Sequence, residues 1–192
     1  EKALFFGLLV PWLLFFHFLG NSTFGYVNSS SLFVWLEGAY NSPFKDDDHG
    51  PYVPLLVLGL MWWKREELKH APKRLWWPGL IILAGGCFLH LLGYIVQQPR
   101  LSVMGFFVGV YGLMGLAWGP AFLRAVFFPY FLFAFCVPIG SLSGMITFPL
   151  RMVVTKIAVG IAHLLGVDVI QDGSRIFYPG KAFQYDVAPA CS

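Results

Sequence analysis

Cys191, in the segment Ala190-Cys191-Ser192, follows a short polar stretch of alternating residues that itself comes after about five very apolar segments. A thiol where a water-facing segment re-enters a membrane can serve as a nucleophile toward a membrane-tethered substrate. It then needs a cation or helix N-terminus to lower its pKa from about 8.5, and a partner to handle the proton. The same position suits a lipid-attachment site or an ordinary buried small residue. Among the histidines, His49 is the one flanked by a polar loop, Asp46-Asp47-Asp48-His49-Gly50, on the side expected to be external. Four adjacent loop residues cannot all converge on one ion and the EF-hand spacing is missing, so no metal site is expected there. His17 and His90 lie within apolar runs, where polar groups usually face a bundle interior and hydrogen-bond between helices. Arg124 reads as a cytoplasmic anchor and Arg151 as an external interfacial one that folding could bring near Cys191. Cys87 and Cys136 sit in apolar runs with no Cys or His at ligand spacing, and read as packing residues.

The elements that position these groups are apolar. Of 192 residues, 57% are hydrophobic and only 12% charged, against about 25% charged in soluble domains, which makes the chain an integral membrane protein. Its net charge of +3 comes from basic residues placed between apolar segments rather than along a polar face, so nucleic-acid binding is excluded. One domain, residues 1–192, is expected, since five spans of roughly 20 residues leave little chain for another.

Residues 4–19 form a first span, and 32–40 a short helix lying against the headgroups. The second run, 51–63, covers only about 20 Å as a helix against a hydrocarbon core of about 30 Å. The dense basic stretch from Lys64 to Arg74, wedged between Trp62-Trp63 and Trp76-Trp77, is cytoplasmic by the positive-inside rule. Counting from that anchor, 75–96 runs outward, 97–100 is an external turn, 102–118 returns, and 125–139 runs outward again, bent or ended by Pro129 and Pro138. Everything after about residue 140 is then external. Residues 149–165 read as an amphipathic helix on the outer leaflet with Pro149 in its first turn. Period-two patterning then takes over, with turns at Asp172-Gly173 and Pro179-Gly180, and predicts an external β-meander over 167–188 that must rest on the helices. The fold class is thus mainly α: a polytopic bundle of about five spans with an external helix and a small external β-meander.

The residues resemble the exosortase/archaeosortase family of membrane-embedded cysteine transpeptidases. The carriers are Asp48-His49-Gly50 with Pro54, Trp63-Lys64-Arg65, Phe128-Pro129 to Pro138, and the finish Gly166-Val167, Asp172-Gly173, Ile176, Pro179-Gly180, Val187 and Ala190-Cys191-Ser192. The resemblance implies that Cys191 is the catalytic nucleophile. The family's arginine and histidine lie beyond the cysteine, where this sequence has no matching positions. The chain is therefore expected to be the amino-terminal part of such an enzyme, inactive alone, with His49 and Arg151 as external support. Implied partners are exported proteins with a C-terminal tail of the PEP-CTERM type (a short Pro-Glu-Pro-like motif, a transmembrane helix and a basic cluster), cleaved at the outer face of a bacterial cytoplasmic membrane. The lipid bilayer is the other partner; no cofactor and no metal are implied. The competing reading is a non-enzymatic polytopic protein, a transporter subunit or scaffold, which would line a midplane path with polar residues. The spans offer little beyond His17 and His90.

Overall fold

The computed structural model describes residues 1–23, 28–41, 47–178 and 184–186, without the side chains of 140–147 and 184–186. The chain divides into two compact units, Glu1–Ile139 and Gly140–Ser192. The first holds helices α1 (Lys2–Leu19), α2 (Leu32–Tyr40), α3 (Val53–Trp63, entered through a 3-10 turn at Gly50–Tyr52), α4 (Arg65–His70), α5 (Gly79–Ile95) and α6 (Pro99–Phe131). A 3-10 turn, Leu132–Cys136, follows α6. The protein is mainly helical, as expected.

Local chemistry sets several of these limits. Ser31 is the N-cap of α2, its hydroxyl accepting from the Val34 N–H at 3.4 Å, so the predicted interfacial helix has the observed bounds. Pro78 precedes α5 and Pro99 opens α6, where a missing N–H goes unnoticed because the first-turn donors have no helical partner. The short helix α4 within the basic stretch was not foreseen; its first-turn Glu66 and Glu67 and last-turn Lys69 and His70 complement the helix dipole.

Within α6 the chain turns back on itself at Gly119, whose φ of 87° and ψ of 176° break the helix. Tyr111 donates to the Leu123 carbonyl at 3.0 Å, and Tyr130 to the Phe107 carbonyl at 2.6 Å. In a straight helix, Phe107 and Tyr130 would stand about 35 Å apart. Residues 99–118 and 120–131 are therefore two antiparallel arms, with Gly119 supplying the left-handed turn and Pro120 restarting the helix. These arms occupy the places of the predicted fourth and fifth apolar runs. Pro129 does not end the second arm; the helix tightens to 3-10 geometry three residues later and stops before Pro138.

Packing between α5 and the first arm is backbone against backbone. A Cβ built on Gly86 would lie 2.7 Å from the Gly105 carbonyl and the Gly109 nitrogen, and one on Gly79 2.4 Å from the Leu116 nitrogen. Small residues at such contacts let helices approach closely, which is how they associate where lipid removes the hydrophobic drive between them. Into the space over Gly109 goes Trp12 of α1, whose indole donates to the Phe106 carbonyl at 3.2 Å. Outward faces carry large apolar side chains, among them Phe6, Phe18, Leu55, Ile81, Phe88 and Phe127, all exposed. Two helices are long and apolar enough to cross a membrane, α1 and Pro99–Cys136, while Gly50–Trp63 and Gly79–Ile95 are shorter apolar helices. By length and composition two spans are supported, and the five counted from sequence are not confirmed by that criterion, which takes the hairpin Pro99–Cys136 as a single helix.

The second unit begins with α7 (Gly140–Leu164), which starts nine residues before the predicted 149 and so carries Pro149 inside. Proline removes one backbone hydrogen bond without forbidding the helix, and residues on both of its sides keep helical geometry. The helix ends in a Schellman motif: the Gly166 N–H donates to the His163 carbonyl at 3.0 Å and the Val167 N–H to Ala162 at 2.9 Å. Strands β1 (Ile170–Asp172), β2 (Arg175–Phe177) and β3 (Gln184–Asp186) form an antiparallel sheet in the order β1-β2-β3, with β1 and β2 against α7. Asp172 pairs with Arg175 across the two-residue turn Gly173-Ser174, whose first residue has φ 61°, a conformation that favours glycine, so the turn falls beside the predicted Asp172-Gly173 signal. The predicted meander is therefore present in β1 to β3; its Pro179-Gly180 turn and Val187 lie outside the described residues.

Neighbouring glycines provide a test. Gly85→Ala meets open space and Gly86→Ala meets the backbone of Gly105 and Gly109. In thermal unfolding of the detergent-solubilised protein, the first is expected to be neutral or slightly stabilising, and the second destabilising by about 1–3 kcal/mol.

Candidate functional site

The packing of the first unit sorts its charges by end. At one end Phe5 lies against Trp118, with ring centroids 4.5 Å apart, and the Arg74 N–H donates to the Trp118 carbonyl at 3.4 Å. Lys64 Nζ reaches the Ala125 carbonyl at 3.3 Å. Lys2, the α4 cations, Lys73, Arg74 and Arg124 therefore share this end. Their ion pairs, Lys64–Glu67 at 3.2 Å and Lys69–Glu66 at 3.0 Å, are exposed and worth little in stability. At the opposite end, Tyr94 donates to the Leu19 carbonyl, and the cation found among the described residues is Arg100.

That opposite end is organised around the backbone of residues 136–139, the last of the first unit. Pro138 prevents the 3-10 turn from continuing, so the final carbonyls of the helix have no helical partners. Side chains from three other segments pair with the backbone here, two as donors to carbonyls and one as acceptor from an amide. The Tyr40 hydroxyl, at the end of α2, donates to the Cys136 carbonyl; Arg100 Nε, in the first turn of α6, donates to the Pro138 carbonyl at 2.6 Å; and the Ile139 N–H donates to Asp47 Oδ1 at 3.0 Å. The Arg100 guanidinium is itself held by Gln98 Oε1 at 3.1 Å. Burial pushes the Tyr40 hydroxyl pKa up from 10, so at neutral pH it remains a donor. Gly50 lets the loop pass: a Cβ there would overlap the Tyr40 ring, and the Gly50 carbonyl lies 3.7 Å from Cys136 Sγ. This clasp grips the strand of chain that leads into Gly140 and onward to the sheet.

Of the residues singled out from sequence, His49 is exposed and caps the 3-10 turn at Gly50–Tyr52 in the first unit, beside this clasp. Arg151 is half-buried on α7 in the second unit. Cys191 lies outside the described residues, so the three are not assembled here into one site. His90 is buried with Nδ1 3.0 Å from Ser102 Oγ, among the rings of Phe15, Phe16 and Tyr94, and His17 Nδ1 lies 3.2 Å from Ser31 Oγ. Both are cross-element hydrogen bonds of the packing kind expected. In the second unit His163 Nε2 lies 2.8 Å from the Val169 carbonyl and fixes the approach to β1.

The sequence suggests a solvated loop with a structural role at Asp46-Asp47-Asp48; Asp48 is exposed, whereas Asp47 is buried and satisfies the Ile139 amide. Tyr40 and Arg100 were missed altogether. The available signal was Pro138, because a helix stopped by proline leaves carbonyls that need donors from elsewhere.

The family model for the transmembrane exosortase (Exosortase_EpsH) matches residues 42–192. The chain belongs to the transmembrane exosortase family. No curated protein and no solved structure matches it. The exosortase match takes in Asp47, Gly50, Arg100, Pro138 and Cys191, while α1 and α2, and with them Tyr40, precede it. Family membership makes this a membrane-embedded protein, in agreement with its apolar outer faces.

Loss of one clasp contact leaves a half-buried polar group unpaired, at about 1–3 kcal/mol each. Asp47→Ala is expected to lower unfolding stability by that amount, whereas Asp47→Asn, which keeps an acceptor oxygen, loses less. Tyr40→Phe combined with Asp47→Ala should fall short of additivity in a double-mutant cycle, since both hold the same four residues.

Proposed function

We propose that this exosortase is a membrane-embedded cysteine protease or transpeptidase that cleaves the C-terminal, PEP-CTERM-like sorting tail of exported proteins. Cys191 is its nucleophile, at the outer face of a bacterial cytoplasmic membrane. The observation that carries the reading is the family match running through the Ala190-Cys191-Ser192 segment. Charge sorting supports the orientation. With the basic end cytoplasmic, α1, α5 and the second arm of α6 run outward, while α3 and the first arm run inward, a five-span path on which the clasp, α7 and the meander are external. Residues 1–192 then work as one membrane domain with the 167–188 meander as its external part.

In the proposed reaction the Cys191 thiolate adds to the amide carbonyl just outside the bilayer. The C–N bond breaks, the tail leaves as an amine that takes up a proton, and a thioester remains. Water, or a nucleophilic group on a lipid or glycan, then displaces the sulfur and restores the thiol. Arg151 and His49 serve as external support for this chemistry. Enzyme and tailed substrate share two dimensions, which raises their effective concentration.

In cells producing the full-length protein and a tailed exported reporter, Cys191→Ala is expected to reduce processing to background, and His49→Ala and Arg151→Ala to slow it. Undiminished processing by Cys191→Ala would overturn the proposal. A membrane-impermeant thiol reagent applied from outside should label Cys191; protection in intact cells with labelling after lysis would contradict the orientation.

A further inference from the structure

At the basic end of the first unit, residues of α1, α3, α4 and both arms of α6 surround an open groove of about 380 Å³. Four cations, Lys2, Arg65, Lys69 and Lys73, stand around it, and its floor is apolar, with Trp62 and Phe122 among the lining side chains. Glu66, outside the lining, pairs with Arg65 at 3.3 Å and Lys69 at 3.0 Å, and the Lys69 hydrogen bond holds its pKa below the usual glutamate value. Lys2 and Lys73 have no ion-pair partner among the described residues. The Arg65 guanidinium lies 4.7 Å over the Trp62 ring, and that ring is 69% exposed, as an interfacial anchor should be.

We propose that this groove binds an anionic phospholipid, its phosphodiester headgroup among Lys2, Lys69 and Lys73 and one acyl chain along the apolar floor. Charge complementarity selects the occupant, because a lining with four cations and no carboxylate favours an anionic headgroup over a zwitterionic one. The floor selects a lipid over a free phosphate, because an inorganic anion gains nothing from tryptophan and phenylalanine rings, whereas an acyl chain buries apolar surface there. Basic pockets between membrane helices on the cytoplasmic side are suited to such headgroups. This inference is independent of the chemistry assigned to Cys191.

The test uses the detergent-solubilised protein with three additives: phosphatidylglycerol, phosphatidylcholine with the same acyl chains, and inorganic phosphate. Native mass spectrometry counts bound lipid and thermal unfolding reads the stabilisation. Phosphatidylglycerol is expected to bind with a stoichiometry of one and raise Tm; the other two should do neither. Each cation removed should weaken binding about fivefold, so K69Q/K73Q loses roughly 25-fold, while the charge-keeping K69R/K73R retains it. Arg124, at the same end but outside the groove, is the control, and R124Q should bind as the parent does. Equal binding of phosphatidylcholine, an equal Tm rise with inorganic phosphate, full binding by K69Q/K73Q, or an equal loss in R124Q would each overturn the proposal.

Discussion

Contact of backbone on backbone between α5 and the first arm of α6 is the constraint from which the rest of the first unit follows. Gly79 faces Gly112 and Leu116, Gly86 faces Gly105 and Gly109, and Gly93 faces Gln98 and Ser102, a constant antiparallel register along the whole pair. In a bilayer, association rests on van der Waals contact and short-range polar bonds, both of which need helices this close. The register sets His90 beside Ser102 and leaves the space over Gly109 that Trp12 fills, so α1 has one place to dock. It also fixes where the first arm ends, and therefore where Gly119 turns the chain back to pack Tyr130 against Phe107.

That hairpin returns residues 136–139 to the end where α1 and α5 finish and α2 lies. The clasp is the consequence. Residues far apart in sequence converge because a proline-stopped helix needs donors and the register brings Tyr40 and Arg100 within reach. Asp47 completes it by accepting from Ile139. Loop positions in the family-matched region thus have a structural task, holding the backbone that hands the chain to α7 and the sheet. The same packing gathers the cations of α4 and its flanks at the other end, so a single fold accounts for both the clasp and the basic groove.

Much of this was readable in the sequence where the determining interaction is local. The bounds of α2 follow from Ser31, the two arms of α6 from apolar runs interrupted at Gly119-Pro120, and the first hairpin of the meander from Asp172-Gly173. Long-range pairing was not readable. Nothing near Tyr40 points to residue 136, and the acidic run hid Asp47, because a buried carboxylate and a solvated one look alike until the amide it serves is known. The start of α7 was misplaced because Pro149 was taken as a first-turn residue, although an interior proline removes a single hydrogen bond and the helix on either side persists. The five-span count is not confirmed by helix length, since α3 and α5 are shorter than a full span.

The proposed function rests on covalent catalysis by Cys191. Its most direct test is to trap the acyl-enzyme: incubate the full-length protein with a tailed substrate, quench in acid, digest, and search for a covalent adduct by mass spectrometry. The account predicts a substrate fragment on the Cys191 peptide that hydroxylamine releases, as a thioester requires. Tail cleavage that proceeds with no such adduct, and that persists after Cys191 is alkylated, would contradict it.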